Sequence, residues 1–304
     1  MALISSNFAD ILDVRFQRIW DERFTQIPDR VADFYAMKTE KQQVARFSTV
    51  GTLGDVPDFT GTVTYDEIYQ GYDSSVTPLE FASGLQIERR LFDDDQFNII
   101  EQKPKALAGA VYRLRQTHAA RSFVNSFSVD SKFSSNTEGV ALCSASHTTT
   151  AAGVSTSSGF NNLSTSSLSA VSLSAARIKM VNFRGDRAER IAITPSTILL
   201  PPDLYETDYE IVGSQGKVDS ANNNANVHYG QYKIEEWNYL TDTNDWWLMD
   251  NSLMKDFGLV WIDKTKGEFG FVEDFDSLVG KWRAYARWGM GWIDWRWVLG
   301  SSVS

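Results

Sequence analysis

The sequence predicts an α+β fold, with one long helix set between an early strand-forming stretch and a late one rich in aromatic residues. Three observations predict it. Apolar and polar residues alternate with period two over 79–87 and again over 282–292. Between them Leu107, Val111, Leu114 and His118 fall at i, i+4, i+7 and i+11, one face of a helix. Nine of the ten tryptophans stand at or beyond Trp237, which places the largest apolar surface among the C-terminal strands.

Residues 1–46 read as an arm. Phe8, Ile11, Leu12, Phe16 and Ile19 recur at helical spacing until Pro28 interrupts, too few apolar residues to close a core. Residues 47–87 read as a long two-stranded ribbon. Gly51, Gly54, Pro57 and Gly61 punctuate it, Val63, Tyr65 and Tyr69 occupy alternate positions, and Leu79, Phe81, Leu85 and Ile87 share one face. A lone hairpin is marginal in water, so a neighbouring subunit is expected to cover it. The long helix follows, with Asp93, Asp94 and Asp95 suiting its N-terminus, Pro104 its first turn, and an end near Phe127.

Between Ser144 and Ser174, 16 of 31 residues are Ser or Thr, a loop-like composition. Leu168, Val171, Ala175, Ile178 and Val181 then resume helical spacing, so the C-terminal part of this stretch is expected to fold. Strands are predicted at 191–193 and 197–202, a helix over 203–212, and a polar loop over 214–226. Near the end Trp282, Ala284, Ala286, Trp288, Met290 and Trp292 alternate with Arg283, Tyr285, Arg287, Gly289 and Gly291, one long strand burying an aromatic face.

Composition narrows the function. The 304 residues carry a net charge of −10, which argues against a protein that grips nucleic acid, although an acidic wall suits a container. One cysteine excludes a disulfide framework and a multi-cysteine zinc site. The longest apolar runs, 191–193 and 198–200, fall far short of the ~20 residues of a membrane helix. The opening MALISSNFADILDVRF has no basic region and carries Asp10 and Asp13, so synthesis in the cytoplasm is expected.

No constellation points to chemistry, cofactor or metal. Cys143 and His147, four apart, lack a hydrolase signature; His118, His147 and His228 sit in unrelated contexts. Asp242–Asp245 begins like a calcium loop but lacks its glycine and glutamate, and reads as a hairpin turn. GSQGK at 213–217 has the wrong spacing for a phosphate loop, and Asp93–Asp95 is explained by helix capping rather than a cation. The aromatic alternation fits a core or subunit interface better than a sugar- or base-stacking platform.

Four passages, in order, resemble the major capsid proteins of tailed phages with the Hong Kong 97 fold, and in particular the Mu-like head subunits. They are GVALCSASH (139–147) with GFNNL (159–163), ITPSTILLPPDLYETDYEIVGS (193–214), NYLTDTNDWWLMD (238–250) and WRAYARWGMGWIDWRWVLGSS (282–302). The match is specific from about residue 139 onward and architectural before it. The resemblance implies an N-terminal arm (1–46), an extended β-hairpin loop (47–87), a spine helix (88–130), an axial domain (131–235) and closing strands of the peripheral domain (236–304).

It also implies a virion protein with no enzymatic activity. Such a subunit assembles with itself into hexamers and pentamers around double-stranded DNA contacted non-specifically, with a portal, a separate scaffolding protein and decoration proteins as partners. No lysine occurs between Lys41 and Lys103, so the loop cannot supply an isopeptide cross-link. The arm reads as short and without a scaffolding segment, so assembly with a separate scaffolding protein, or with none, is expected. Asp55, Asp58, Asp66 and Glu67 at the ribbon tip are expected to meet Arg113, Arg115 and Arg121 of a neighbour, and removing residues 55–75 is expected to leave a folded monomer that makes no particles. An encapsulin-like compartment shares this fold and stays open, as does a carbohydrate-binding tail protein.

Overall fold

The computed structural model describes residues 17–23, 25, 29–63, 65–66, 68–88, 102–216, 225–274, 276 and 279–303. After a helical stretch at 17–23 and a turn of helix at Val31–Phe34 come strands β1 (Ala36–Lys38), β2 (Ala45–Val50), β3 (Gln70–Val76) and β4 (Leu79–Glu88). Helix α1 (Gln102–Val124) follows, then β5 (Ser134–Asn136), β6 (Leu163–Ser164) and helix α2 (Ala170–Val181). The chain ends with β7 (Thr197–Leu200), β8 (Lys233–Glu236), β9 (Trp246–Met249), β10 (Leu259–Asp274), β11 (Val279–Trp292) and β12 (Val298–Ser301). The aspartates at 93–95 lie outside the described residues. Among those described, no helix is long and apolar enough to cross a membrane.

β10 and β11 form a long antiparallel hairpin at the centre of a four-stranded sheet ordered β1-β10-β11-β4. The predicted alternation on β11 holds: Trp282, Ala284, Ala286, Trp288 and Met290 are buried. α1 covers that face with Leu107, Val111, His118 and Phe123, all buried. Each large aromatic side chain removed from water there is worth about 4–6 kcal/mol of transfer free energy.

Residues 79–88 do not pair with the Val63–Tyr69 run, contrary to the ribbon expected from sequence. They pair with β11, Leu79 opposite Trp288 and Ile87 opposite Gly280. Period two tells which side chains share a face but not which strand lies alongside. β11 offers a continuous aromatic face, and Phe81 takes it, its ring 5.0 Å from that of Trp288. The hairpin within 47–87 is instead β2 with β3, leaving 51–69 as a long connection outside strands among the described residues.

β2, β3 and β5 form a three-stranded sheet whose Ala45 and Val76 pack on Val260 and Ile262, the side of β10 opposite Trp261. The two late glycines of β11 allow this approach. A Cβ on Gly291 would stand 2.7 Å from the Ser134 Cβ, and one on Gly289 3.0 Å from Pro78 Cα.

The third sheet, ordered β6-β12-β9-β7-β8, is mixed, and β7, β9 and β12 are buried at every residue. A sheet covered on both faces needs such unbroken apolar strands, which is why TILL and WWLM do not alternate. The C-terminal end of α1 and the turn after it supply one cover: Phe123 and Phe127 lie 5.8 and 5.9 Å from the Trp247 ring. The helical crossovers supply another. α2 starts at a capping box in which Ser169 and Ser172 exchange side-chain and backbone bonds.

Two local expectations are corrected. Residues 191–193 form no strand; the backbone that follows is held elsewhere, with the Asp250 carboxylate accepting from Thr194 N at 2.8 Å. The turn at Asp242–Asp245 joins β8 and β9, which flank β7 rather than pair with each other. The helical spacing after Leu168 corresponds to α2, whose buried stripe is Leu173, Ala176 and Met180, whereas Val171, Ile178 and Val181 face solvent. The helix has two apolar stripes, and spacing alone does not choose between them.

Candidate assembly site

The loop 51–69 is anchored at both ends and exposed between them. Gly51 N donates to Tyr69 O (3.0 Å), closing the loop at its root. Thr52 and Asp186 exchange two hydrogen bonds, and Arg187 pairs with Asp66 at 2.5 Å while lying over the Tyr69 ring. Asp66 also accepts from Gly54 N. The rest presents apolar side chains to water: Leu53, Val56, Phe59, Val63, Tyr65 and Ile68 are each more than half exposed, Val56 at 95%. Isolated apolar residues on a surface are ordinary; six on one loop are not.

The structure separates the residues expected to make contacts between subunits. Asp55 and Asp58 are exposed on the loop, Asp66 is used within the chain by Arg187, and Glu67 lies outside the described residues. Arg113 is exposed. Arg115 is internal, at 1% exposure: it pairs with Asp29 (3.0 Å) and Asp263 (2.6 and 2.7 Å) and lies over the Trp261 and Trp288 rings. As i+4 from Val111 it belongs to the buried stripe, a signal the sequence carried. Arg121 pairs with Asp130 across its guanidinium fork.

The residues suspected of chemistry resolve into structural roles. Cys143 is buried, and burial pushes its thiol up to about 12. His147 is not its partner. Its ring stacks flat on Trp295 (4.2 Å, 6°), with Nδ1 3.1 Å from Glu138 Oε1 and Nε2 3.1 Å from Asn162 Oδ1. Asn162 Nδ2 in turn donates to Leu142 O and Val298 O, and its Oδ1 accepts from Ser144 N. His118 accepts from Trp288 Nε1 (3.1 Å); burial, then Lys132 and Arg121, hold it down to about 4. His228 meets the Ala170 carbonyl. Among the described residues no three His, Cys, Asp or Glu side chains cluster as for a metal. Trp237, Trp246, Trp247, Trp261, Trp282, Trp288, Trp295 and Trp297 are all buried, which leaves no open stacking platform among them.

Several of these residues come from passages far apart in sequence and meet in one junction. Beside the stacked His147–Trp295 pair, Arg296 donates to Asp294 (2.8 Å), Asp186 (2.8 Å) and the Arg184 carbonyl (2.7 Å). That junction ties the anchor of loop 51–69 to the body of the molecule. Residues 71–300 match the model of a family described as phage capsid protein. The chain belongs to this family.

As a phage capsid protein it is a structural subunit of the virion, and its fold is the α+β Hong Kong 97 capsid fold. The structure is similar to the mature capsid of bacteriophage PhiM1 (TM-score 0.61, 9% identity, 92% of this chain and 88% of that one). It is similar to the capsid of Ralstonia phage GP4 (0.58, 10%, 89% and 87%) and to that of a native GTA particle (0.54, 11%, 91% and 92%). At such identities the likeness is one of fold. No curated protein matches the sequence.

Proposed function

We propose that copies of this chain close into an icosahedral shell of hexamers and pentamers around packaged double-stranded DNA, and that loop 51–69 is a strap lying on a neighbouring copy. The observation that carries the reading is the loop itself: six apolar side chains in water on an anchored strap disfavour a monomer and suit a subunit that is covered by its copies. The strap makes no covalent bond through lysine, because none occurs from residue 42 to 102. The four motif passages support a Mu-like head subunit. Synthesis in the host cytoplasm, a separate scaffolding protein, a portal and decoration proteins go with that reading, as does loose contact between an acidic wall and DNA.

In this reading residues 1–46 are the arm, 47–87 the extended loop, 88–130 the spine segment, 131–235 the axial domain and 236–304 the peripheral closing strands. The pairing of β9 and β12 with β7 and β6 argues for one change to these bounds, joining those two strands to the axial body and keeping β10 and β11 peripheral. The test is removal of residues 53–68, with Thr52 joined to Tyr69 by a short glycine-serine link. A deletion reaching residue 75 would take away β3 and with it the hairpin. A folded subunit that forms no particles in negative-stain images is expected; particles in normal yield would remove the strap from the account.

A further inference from the structure

The described residues bury two separate apolar clusters, and a cavity of about 550 Å³ lies on the seam between them. Phe47 and Ile293 face it from the smaller cluster, which contains Val76 and Val260. Ile191 and Leu253 face it from the larger one, together with the buried Trp295 and Trp297. Phe47, Ile191, Leu253 and Ile293 are each only half-buried, because the seam leaves apolar wall without a packing partner. Hydrogen bonds hold the two sides at a fixed spacing: Thr52 with Asp186, and Ile293 N donating to Gly258 O at 2.9 Å. Preformed, mostly apolar walls around such a volume are what small-molecule pockets of about 300–1,000 Å³ present.

The charges on the lining select the ligand. Four carboxylates stand there against one cation, Arg296. Three of the four are spent inside the chain. Arg296 donates to Asp186, Asp294 and the Arg184 carbonyl, and Glu138 meets His147 Nδ1 and accepts from Thr148 N. Asp256 is exposed, and among the described residues it has no hydrogen bond or ion pair. Lys255 beside it does not line the cavity. An entering anion would find no uncommitted cation on these walls, and a neutral molecule would leave Asp256 unused. A cation with an apolar body uses both the walls and the carboxylate.

We propose that this cavity binds a small organic cation, an ammonium carried on an aromatic or branched apolar body, with Asp256 taking the charge and Phe47, Ile191, Leu253 and Ile293 enclosing the body. The ligand bridges the β2–β3 hairpin and the body of the molecule, and so stiffens the base from which loop 51–69 projects. The site does not rest on the strap reading, since its walls are the same whether or not the loop lies on a neighbour.

Dansylcadaverine, a naphthalene joined by an alkyl chain to a primary ammonium, tests it on the unassembled full chain. The dye should bind saturably, one per subunit, and emit when the tryptophans are excited, Trp295 and Trp297 being part of the lining. Asp256→Asn should weaken binding by about three- to fivefold, the worth of one partly exposed ion pair. Ala192→Trp, which sets a large ring on the exposed rim, should nearly abolish it. Asp33→Asn, at an exposed carboxylate that does not line the cavity, should change nothing. Circular dichroism confirms that each variant folds. Dansylamide, the same ring without the amine, should bind about three- to fivefold more weakly than the amine. Equal binding of the two dyes, an Asp256→Asn variant no weaker than Asp33→Asn, or binding untouched by Ala192→Trp overturns the proposal. Binding that disappears in intact particles gives the cavity to a neighbouring copy and also overturns it. The chain lacking residues 53–68 keeps every wall and should bind the dye as the full chain does, with or without particles. Loss of binding there would place the dye on the loop and sink this site, whatever the particle yield says of the strap.

Discussion

Replacing Asp208 by asparagine should remove a marked pH dependence from the stability of the subunit. Asp208 sits in the helical turn that follows β7 and widens into a π turn at Tyr209–Gly213. It is fully buried, and among the described residues neither carboxylate oxygen has a hydrogen-bond partner. Burial alone pushes its carboxyl up to about 7, from about 3.9 in an unfolded chain. The folded state therefore holds this proton more tightly. The contribution to stability is greatest below about pH 4. It declines as pH rises and the unfolded chain ionises first, then levels off above about pH 7. Three pH units correspond to about 4 kcal/mol. The asparagine side chain stays neutral throughout, so the variant should match the natural protein near pH 4 and exceed it by about 2–4 kcal/mol at pH 8. Urea unfolding of the unassembled subunit at a series of pH values measures this. A difference between the two proteins that stays constant from pH 4.5 to 8 would refute a buried carboxyl at this position.

Arg115→Met should cost about 3–5 kcal/mol of stability, because it leaves Asp29 and Asp263 without their buried cation, whereas Arg113→Met should stay within about 0.5 kcal/mol. Thermal unfolding of both variants compares them, and equal shifts would contradict the placement of Arg115. Cys143 should resist a thiol reagent at pH 8 in the native subunit and react fully in denaturant, since its thiol is buried and pushed up to about 12. Rapid native labelling would show the region to be open. Arg296→Lys keeps the charge but loses the fork that holds Asp294, Asp186 and the Arg184 carbonyl together. It should lower the unfolding temperature by several degrees, about what 1–2 kcal/mol produces, and reduce particle yield further than stability alone explains. Yield that simply follows stability would deny the junction a part in aiming the loop.

Much of this architecture is legible in the sequence because one strong periodicity governs each stretch. α1 and the aromatic face of β11 are of this kind, and the alternation in β4 gives its faces although not its partner. Partnership is a long-range property: β4 pairs with residues about 200 positions later, and nothing local in 79–88 names them. α2 is ambiguous for a different reason. Val171, Ile178 and Val181 are as apolar as Leu173 and Met180, and only the sheet beneath decides which set is buried. Arg115 reads as a surface contact only if charge is weighed above position, since its spacing from Val111 puts it on the inward face. The His147–Asn162–Trp295 junction is visible in the sequence only as separate motifs. Their convergence requires the fold.

The division between locked and exposed parts follows from how a shell is held together. Many weak contacts per subunit suffice once the structure closes, so no single loop needs high affinity. Each contact forms only if ordering the loop does not consume what it gains, and fixing a free backbone costs about 1–2 kcal/mol per residue. The anchors at Thr52, Asp66 and Tyr69, and the bonds from Thr148 to Tyr72 and from Thr150 to Gln70, meet part of that cost in advance by holding the root of the loop in place. The dense polar network around His147 and Arg296 then has a reason beyond stability. It makes the base rigid so that an exposed, weakly binding tip still arrives in one orientation, which converts small contact energies into a defined geometry of assembly.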